Sequence, residues 1–421
     1  MIEFTNPMET KELDDTLQKL SKQMIHNINH ISQNIENSPV VRLINLILNQ
    51  AVKLGVTDIH IEPQKDNLRI RYRLDGVLCE LHKPLDSSIS QMIIARLKIM
   101  SDMDTTKHQV PLDGHIDYDY NGRKIDMRVA SIPIKYGETI VIRLMDVSEK
   151  LKNIIELGMS DKTEKIFRKL IHSPSGMFIV TGPMNSGKST SLYAALRDLN
   201  TGEQHIMTLE DPIEQFVDGV NQMEVFEKTG LTFASGLRSM LRMDCNIIMV
   251  GEARDTETAQ IAIRAALTGH LILTTLHAKD SCNAIFRLLE MNVEPYLLAA
   301  TLTGVMSQRL VRRICSHCKQ SYELKADSIE AKILGQHYKE GMSLYKGTGC
   351  SHCRHTGFSG RIAIHEILEV NEAIRKLILN FEDVEDLRRA ALAGDFTTMY
   401  EDGLQKVVEG LTTINEIKKV L

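Results

Sequence analysis

Eight consecutive residues, Gly182, Pro183, Met184, Asn185, Ser186, Gly187, Lys188 and Ser189, narrow what this chain can become more than any other stretch. They fit the pattern G-x-x-x-x-G-K-[ST] and directly follow the apolar run MFIVT. They also open STSLYAALRDL, which reads as a helix. A strand that ends in such a loop and turns straight into a helix aims backbone N–H groups and the positive helix end at one point, which suits a polyphosphate. In that setting Lys188 bridges the outer phosphates and the Ser189 hydroxyl ligates Mg²⁺, with Thr190 closing the predicted ATP-binding stretch. A chance Gly-rich turn before a helix is the bland alternative. It leaves the order of strand, loop, Lys, Ser and helix unexplained, so the chain is expected to bind a nucleoside triphosphate.

From MFIVTG onward, apolar strands without polar alternation recur between helices: HIMTLED, NIIMVGE and HLILTTLH. That grammar predicts an α/β domain whose parallel sheet is covered on both faces. Ligands of such sheets bind at the carboxyl ends of the strands. There the sequence delivers Glu210 and Asp211, just before Pro212, and Glu252, just after NIIMVG. Each acid alone could be a charge favourable to a helix N-terminus. Beside a phosphate loop they read as catalytic, ordering Mg²⁺ through water or deprotonating the attacking water. The choice of base between Glu210 and Glu252 stays open. His270 and His277 bracket one buried strand. His277 emerges on the nucleotide edge and is predicted to sense the γ-phosphate, while His270 stands evenly between a catalytic and a core role.

The rest of the chain divides by pattern. Residues 1–38 are polar, with Leu13, Leu17, Leu20 and Met24 near helical spacing, and read as a marginal amphipathic helix or leader. Residues 39–147 read as a small α+β domain. It has a buried helix over 40–55 closed by Gly55, strands at TDIHIEP and LRIRYRL, an Asp75-Gly76 turn into VLCEL, a helix near 91–100, and strands near HIDYDY, KIDMRVA and TIVIRL. Arg69, Arg71 and Arg73 share one strand face. Residues 148–175 are charged, helical in character, and include the linker. Residues 176–421 form the α/β domain, interrupted by a cysteine-bearing segment at 312–361, after which helical stretches run to the end. With 43% apolar and 25% charged residues in 421, the chain is no disordered, collagen-like or disulfide-stapled protein. A formal charge of -5 provides no whole-molecule field for nucleic acid or anionic lipid. No apolar run reaches the ~18 residues of a membrane span, and no secretory signal opens the chain, which places it in the cytosol or on a membrane it does not cross.

Cys315-x-x-Cys318 and Cys350-x-x-Cys353, separated by 31 residues, carry four of the seven cysteines. Four thiolates from two such turns satisfy tetrahedral Zn²⁺ with no open position, so the site is expected to be structural. A redox dithiol lacks its thioredoxin-like surroundings, and an Fe–S cluster is the other alternative. His317 and His352 lie inside the two turns and read as groups beside the ligands or in solvent; Cys79, Cys245 and Cys282 read as core or helix residues and are not proposed as ligands.

These motifs, in this order and over about nine tenths of the chain, resemble the secretion ATPase superfamily, in particular the type II secretion and type IV pilus assembly ATPases. The resemblance is carried by TDIHIEP, LRIRYRLDGVL, the P-x-D-G stretch at 111–114, DMRVASIPIKYGETIVIRL, TGPMNSGKSTSLY, LEDPIE, IIMVGEARD, GHLILTTLH and QRLVRRICSHC. It implies a RecA-like P-loop ATPase domain, preceded by a small PAS-like α+β domain and carrying a small zinc-binding subdomain. It further implies a cytoplasmic homo-hexamer, peripheral at the inner membrane. ATP would sit between the two domains, and their relative motion would drive a polytopic inner-membrane platform protein that adds pilin-like subunits. By the same resemblance Glu252 is the Walker B glutamate, Glu210 and Asp211 the aspartate-box acids with Asp211 near Mg²⁺, and His270 and His277 the histidine box. Arg128 and Arg143 would offset transition-state charge from the smaller domain. The cysteine cluster would mark the assembly and secretion branch, which retraction motors generally lack.

The chain departs from the family pattern at His108, Gln109, Leu112 and His115, where basic residues and a Gln are usual, and at Met184-Asn185 in the phosphate loop. The first set bears on catalytic speed more than on binding. Asn185 suits a left-handed backbone, so the loop is expected to form. The roughly 38 residues ahead of the small domain are too few for the extra docking domain of full-length relatives, so partner recruitment is expected to differ. Two other readings are a weakly active or inactive nucleotide-binding scaffold of the same machinery, and a DNA-translocating motor. The second lacks a basic stripe or stacking platform, so no nucleic acid is expected as partner.

Overall fold

A computed structural model describes residues 15–23, 38–80, 82–146 and 151–421. Contacts group the chain into two compact units, Met1–Glu149 with Thr348–Ser359, and Lys150–Gly347 with Gly360–Leu421.

In the first unit a short helix, α1 (15–23), buries Leu17 and Leu20 in the core; Leu13 and Met24 lie outside the described residues. Helix α2 (Pro39–Leu54) starts with Ser38 Oγ accepting the Val41 N–H and stops at Gly55, whose φ of 64° lets its N–H reach back to Ala51 and Val52. Strands β1 (Asp58–Pro63), β2 (Asn67–Leu74), β3 (Val77–Cys79) and β4 (Leu85–Asp86) precede helix α3 (Ser90–Met100). Strands β5 (Leu112–Tyr120), β6 (Arg123–Ile134) and β7 (Gly137–Asp146) complete a sheet ordered β3-β2-β1-β7-β6-β5, with β4 on β2. All pairs are antiparallel. Period-2 alternation sorts the faces: Ile59, Ile61, Ile70, Tyr72, Met127, Val129, Ile140 and Ile142 join α2 and α3 in one core, while the charged residues line the other side. The hairpin from β2 to β3 turns at Asp75 and Gly76, with φ of 48° and 82°, the twist such a tight turn requires.

The second unit is built on a seven-stranded sheet. Helix α4 (Asp161–Ile171) leads to β8 (Gly176–Thr181), α5 (Lys188–Leu199), β9 (Ile206–Glu210) and β10 (Asn221–Glu224). Next come α6 (Phe233–Met240), β11 (Ile247–Val250), α7 (Thr256–Leu267) and β12 (Leu271–Leu276). Helices α8 (Ser281–Glu290) and α9 (Pro295–Thr301) precede the long strand β13 (Leu302–Ile314). Strands β14 (Lys319–Glu323) and β15 (Ser343–Gly347), an antiparallel pair, flank α10 (Ile329–Leu334). After β16 (Phe358–Glu369) the chain ends in α11 (Glu372–Leu379), α12 (Val384–Leu392), α13 (Met399–Val408) and α14 (Ile414–Val420).

The sheet order is β10-β9-β11-β12-β8-β13-β16, and β8 through β13 pair in parallel. On β8, Met177 and Ile179 enter one core with α6 to α9, whereas Phe178 and Val180 enter a second with α4 and α5. Both faces are dry, which is why the strand carries no polar alternation. Each such side chain contributes roughly 1.5–3 kcal/mol by leaving water. The reading of residues after 361 as helical needs correction. Residues up to Glu369 extend the sheet as β16, because Ala363 to Leu368 are buried in succession and rich in β-branched Ile.

Candidate active site

The parallel register fixes the site's position. Strand β8 ends at Thr181, so the loop 182–187 leaves from the carboxyl edge of the sheet and re-enters as α5. Its backbone is left-handed at Gly182 (φ 151°), Asn185 (61°) and Gly187 (89°), and Asn185 fits that requirement as expected. A Cβ on Gly182 would lie 2.6 Å from the Gln308 carbonyl oxygen and 2.6 Å from Ser186 Oγ; one on Gly187 would lie 3.0 Å from Gln308 Nε2. Both glycines are therefore steric requirements. Gly187 caps α5 with no side-chain acceptor, so the first N–H groups of the helix are left for an anion.

Gln308, on β13, is the residue that sequence reasoning missed. It is 1% exposed; its Nε2 donates to the Ser186 carbonyl at 2.8 Å and its Oε1 accepts from Ser191 Oγ at 2.8 Å. It brackets the junction of loop and helix. The hint was its place at the head of QRLVRRICSHC, one of the stretches that carry the resemblance. Lys188 Nζ donates to the loop's own carbonyls, Gly182 at 3.2 Å and Pro183 at 3.0 Å. Burial pulls its pKa below the ordinary value against the opposing pull of Glu252 and Glu214. The Ser186 Oγ is buried with no hydrogen-bond partner among the described residues. A polyphosphate fits this cradle: it would relieve the desolvated ammonium and use the uncapped N–H groups. Ser189 and Thr190 follow on the first turn of α5, half-buried; Pro183 and Met184 are exposed.

The acids take different environments. Glu210, at the end of β9, is 4% exposed and accepts from Tyr193 Oη, from Thr208 Oγ1 at 2.5 Å and from Gln222 Nε2 at 3.0 Å. Burial raises its pKa. Tyr193 Oη in turn accepts the N–H groups of Glu214 (3.1 Å) and Gln215 (3.3 Å), so the pair ties α5 to the segment after β9. Glu252, beyond β11, is partly open. His277 Nε2 lies 3.1 Å from its Oε1, and Arg254 Nε donates to its Oε2 at 2.7 Å. Arg254 Nη1 also donates to Asp211 Oδ2 at 3.0 Å. His277 Nδ1 is 3.3 Å from the Gly182 carbonyl, so its ring stands between the phosphate loop and Glu252.

His270 is not brought to this edge. It precedes β12 and its Nδ1 lies 3.1 Å from the Ala265 carbonyl; its own carbonyl accepts the Gly176 N–H where β8 begins. A six-residue strand puts it about 20 Å from His277, at the opposite end of the sheet. Arg128 and Arg143 belong to the first unit, where they face each other across β6 and β7. Arg143 Nε donates to the buried Asp58 carboxylate at 3.0 Å, and Arg73 Nε lies 3.4 Å from the same group; Arg128 is exposed. His115 stands opposite Arg128 on β5, its ring beside Asp117 and Asp126.

The ligand sulfurs of Cys315, Cys318, Cys350 and Cys353 lie within 4.8 Å of one another. Cys350 and Cys353 Sγ are 3.8 Å apart, about the edge of a tetrahedron with ~2.3 Å metal–sulfur bonds. Backbone N–H groups of Cys350 and Gly357 donate to Cys353 Sγ at 3.2 and 3.3 Å, which favours a thiolate there. The donor set fits zinc. Among the described residues no helix is long and apolar enough to cross a membrane.

A parallel sheet with a phosphate loop at its carboxyl edge, and a carboxylate–histidine pair on the next strands, defines a P-loop protein equipped for nucleotide hydrolysis. The Type II/IV secretion system protein family matches residues 33–419, and the chain belongs to that family. It is 43% identical over 385 residues to the Type II secretion system ATPase E of Vibrio cholerae serotype O1, covering 91% of this chain and 76% of that one. Identity is 44% over 385 residues, with the same coverage, to the Type II secretion system protein E of Pectobacterium carotovorum subsp. carotovorum. Among solved structures, the pilus retraction motor PilT with bound ADP superposes with a TM-score of 0.60 at 27% identity, over 89% of this chain and 96% of that one. The Legionella pneumophila ATPase DotB shares the fold, with a TM-score of 0.67 at 21% identity over 90% and 95% of the two chains.

Proposed function

We propose that this ATPase works as a Mg²⁺-dependent homo-hexamer that powers assembly of type II secretion pseudopilus or type IV pilus subunits. It would act from the cytoplasm at the inner membrane, through a polytopic platform protein. The relatives' names support the machinery, and one observation carries the chemistry: Lys188, Glu252 and His277 converge on the carboxyl edge that also holds the phosphate loop. The loop 182–190 holds the triphosphate, with Lys188 on its outer phosphates and Ser189 toward Mg²⁺, which supplies charge neutralisation. Glu252 is the base for the attacking water, being the less buried acid and the one in contact with His277, whose ring relays the loop's state to it. Glu210, held in a closed network with Tyr193, positions the segment bearing Asp211. Asp211, whose Oδ2 takes the Arg254 Nη1–H, would reach Mg²⁺ through water by its other oxygen. Arg128 and Arg143 offset transition-state charge, and the four cysteines hold a structural Zn²⁺.

Phosphate release measured against Mg²⁺ concentration, on size-fractionated protein, tests this reading. Turnover is expected in the oligomeric fraction, with zinc present in the same preparation. Glu252→Gln should lose turnover by about 100-fold or more while still binding ATP. Turnover by Glu252→Gln at the unsubstituted rate, or by a monomer without Mg²⁺, contradicts it.

A further inference from the structure

Both oxygens of Glu252 are engaged. Oε1 faces His277 Nε2 at 3.1 Å and Oε2 takes the Arg254 Nε–H at 2.7 Å. The guanidinium occupies one lone-pair direction of Oε2 and fixes how the carboxylate is turned, with His277 against Oε1, so a water must compete for the directions that remain. The two partners are not equivalent. The His277 ring also lies against the phosphate loop, 3.3 Å from the Gly182 carbonyl, and so belongs to the nucleotide side. Arg254 instead spans from the end of β11 to the segment after β9, with Nη1 donating to Asp211 Oδ2 at 3.0 Å and its guanidinium 5.8 Å from the Phe233 ring centroid.

From this geometry we propose that Arg254 is a positioning residue that latches Glu252 in a resting state and frees it by passing its hold to Asp211. The proposal rests on the reading of Glu252 as the group that activates water. A guanidinium with donors already on two carboxylates can leave one and stay paired with the other, so the exchange strands no charge. Side-chain exposures of 53% for Arg254, 40% for Asp211 and 19% for Glu252 keep the exchange cheap, because water supports whichever group is left. Sequence position alone hides the device, since Arg254 and Asp211 are 43 residues apart.

Steady-state ATP hydrolysis by the full-length oligomer tests it. Arg254 is half-exposed, so its replacement is not expected to unfold the chain. Arg254→Gln should raise kcat about three- to fivefold, what one partly exposed ion pair is worth, with the KM for ATP unchanged within about twofold. Asp211→Asn should lower kcat, because the guanidinium then has only Glu252 to hold. In the Arg254→Gln background the Asp211→Asn loss should be smaller, because only the part due to Mg²⁺ remains. A fall in kcat on Arg254→Gln overturns the latch, as does an Asp211→Asn loss that is equally large with and without Arg254. Glu252→Gln in the same assay separates the two readings. Turnover there like that of the unsubstituted protein removes Glu252 as the activating group and the latch with it. Loss of turnover there, combined with a slower Arg254→Gln, overturns the latch alone.

Discussion

At the scale of single residues, the site depends on groups held away from water. Lys188 is drawn below its ordinary pKa by burial, and loop carbonyls hold its ammonium, so an arriving phosphate would offset the cost of its desolvation. Gln308 sets where that phosphate is received. Gln308→Leu keeps the bulk and removes both hydrogen bonds, leaving the Ser186 carbonyl and the Ser191 hydroxyl without their partner, a cost of about 1–3 kcal/mol. The loop then loses its bracket, and KM for ATP should rise about tenfold with a smaller fall in kcat. Steady-state kinetics beside thermal melting checks this, and an unchanged KM with a lowered kcat contradicts it. Lys188 and Ser189 were legible because their motif is contiguous. Gln308 was not, since its partners lie 117 and 122 residues away, and neither was Tyr193, whose contact with Glu210 exists only once α5 packs beside β9.

At the scale of elements, β13 joins the phosphate loop to the cysteine segment, and its far end is pinned by α14. Arg312 donates to Glu416 through Nε at 2.8 Å and Nη2 at 2.7 Å, and Lys419 Nζ adds a third bond at 2.6 Å. Burial alone would push the Glu416 carboxyl up, but these donors pull it down to about 2. A folded-state pKa below the unfolded value gives stability that is complete above the ordinary carboxylate range and fades as pH falls toward the folded value. Glu416→Gln should therefore destabilise the protein by about 1–3 kcal/mol at neutral pH, and the gap should close between about pH 5 and pH 2. Denaturant titrations of both proteins across that range decide it; a gap independent of pH contradicts the assignment. The elements themselves were legible where period and punctuation agree, as at Gly55 and Asp75-Gly76. The strand β16 was not, because a run of buried Ile and Ala reads equally well as helix until the sheet edge that receives it is known.

At the scale of the whole molecule, chemistry is divided between two units. One carries the phosphate loop with Glu252 and His277. The other carries a row of side chains facing one another across five strands, Arg73, Asp58, Arg143, Arg128 and His115. The motifs announced the first set and the two arginines Arg128 and Arg143; the row they join, with Asp58 between Arg73 and Arg143, follows from the strand register. The apolar run between them also put His270 and His277, seven residues apart, at the two ends of one strand, where the structure has them. The account as a whole requires that a triphosphate be held at the carboxyl edge and cleaved there. The most direct test is phosphate release from saturating Mg²⁺–ATP by the purified protein, measured side by side for the unsubstituted protein and Lys188→Ala. The account predicts a loss of about 100-fold or more in the variant; equal rates would contradict it.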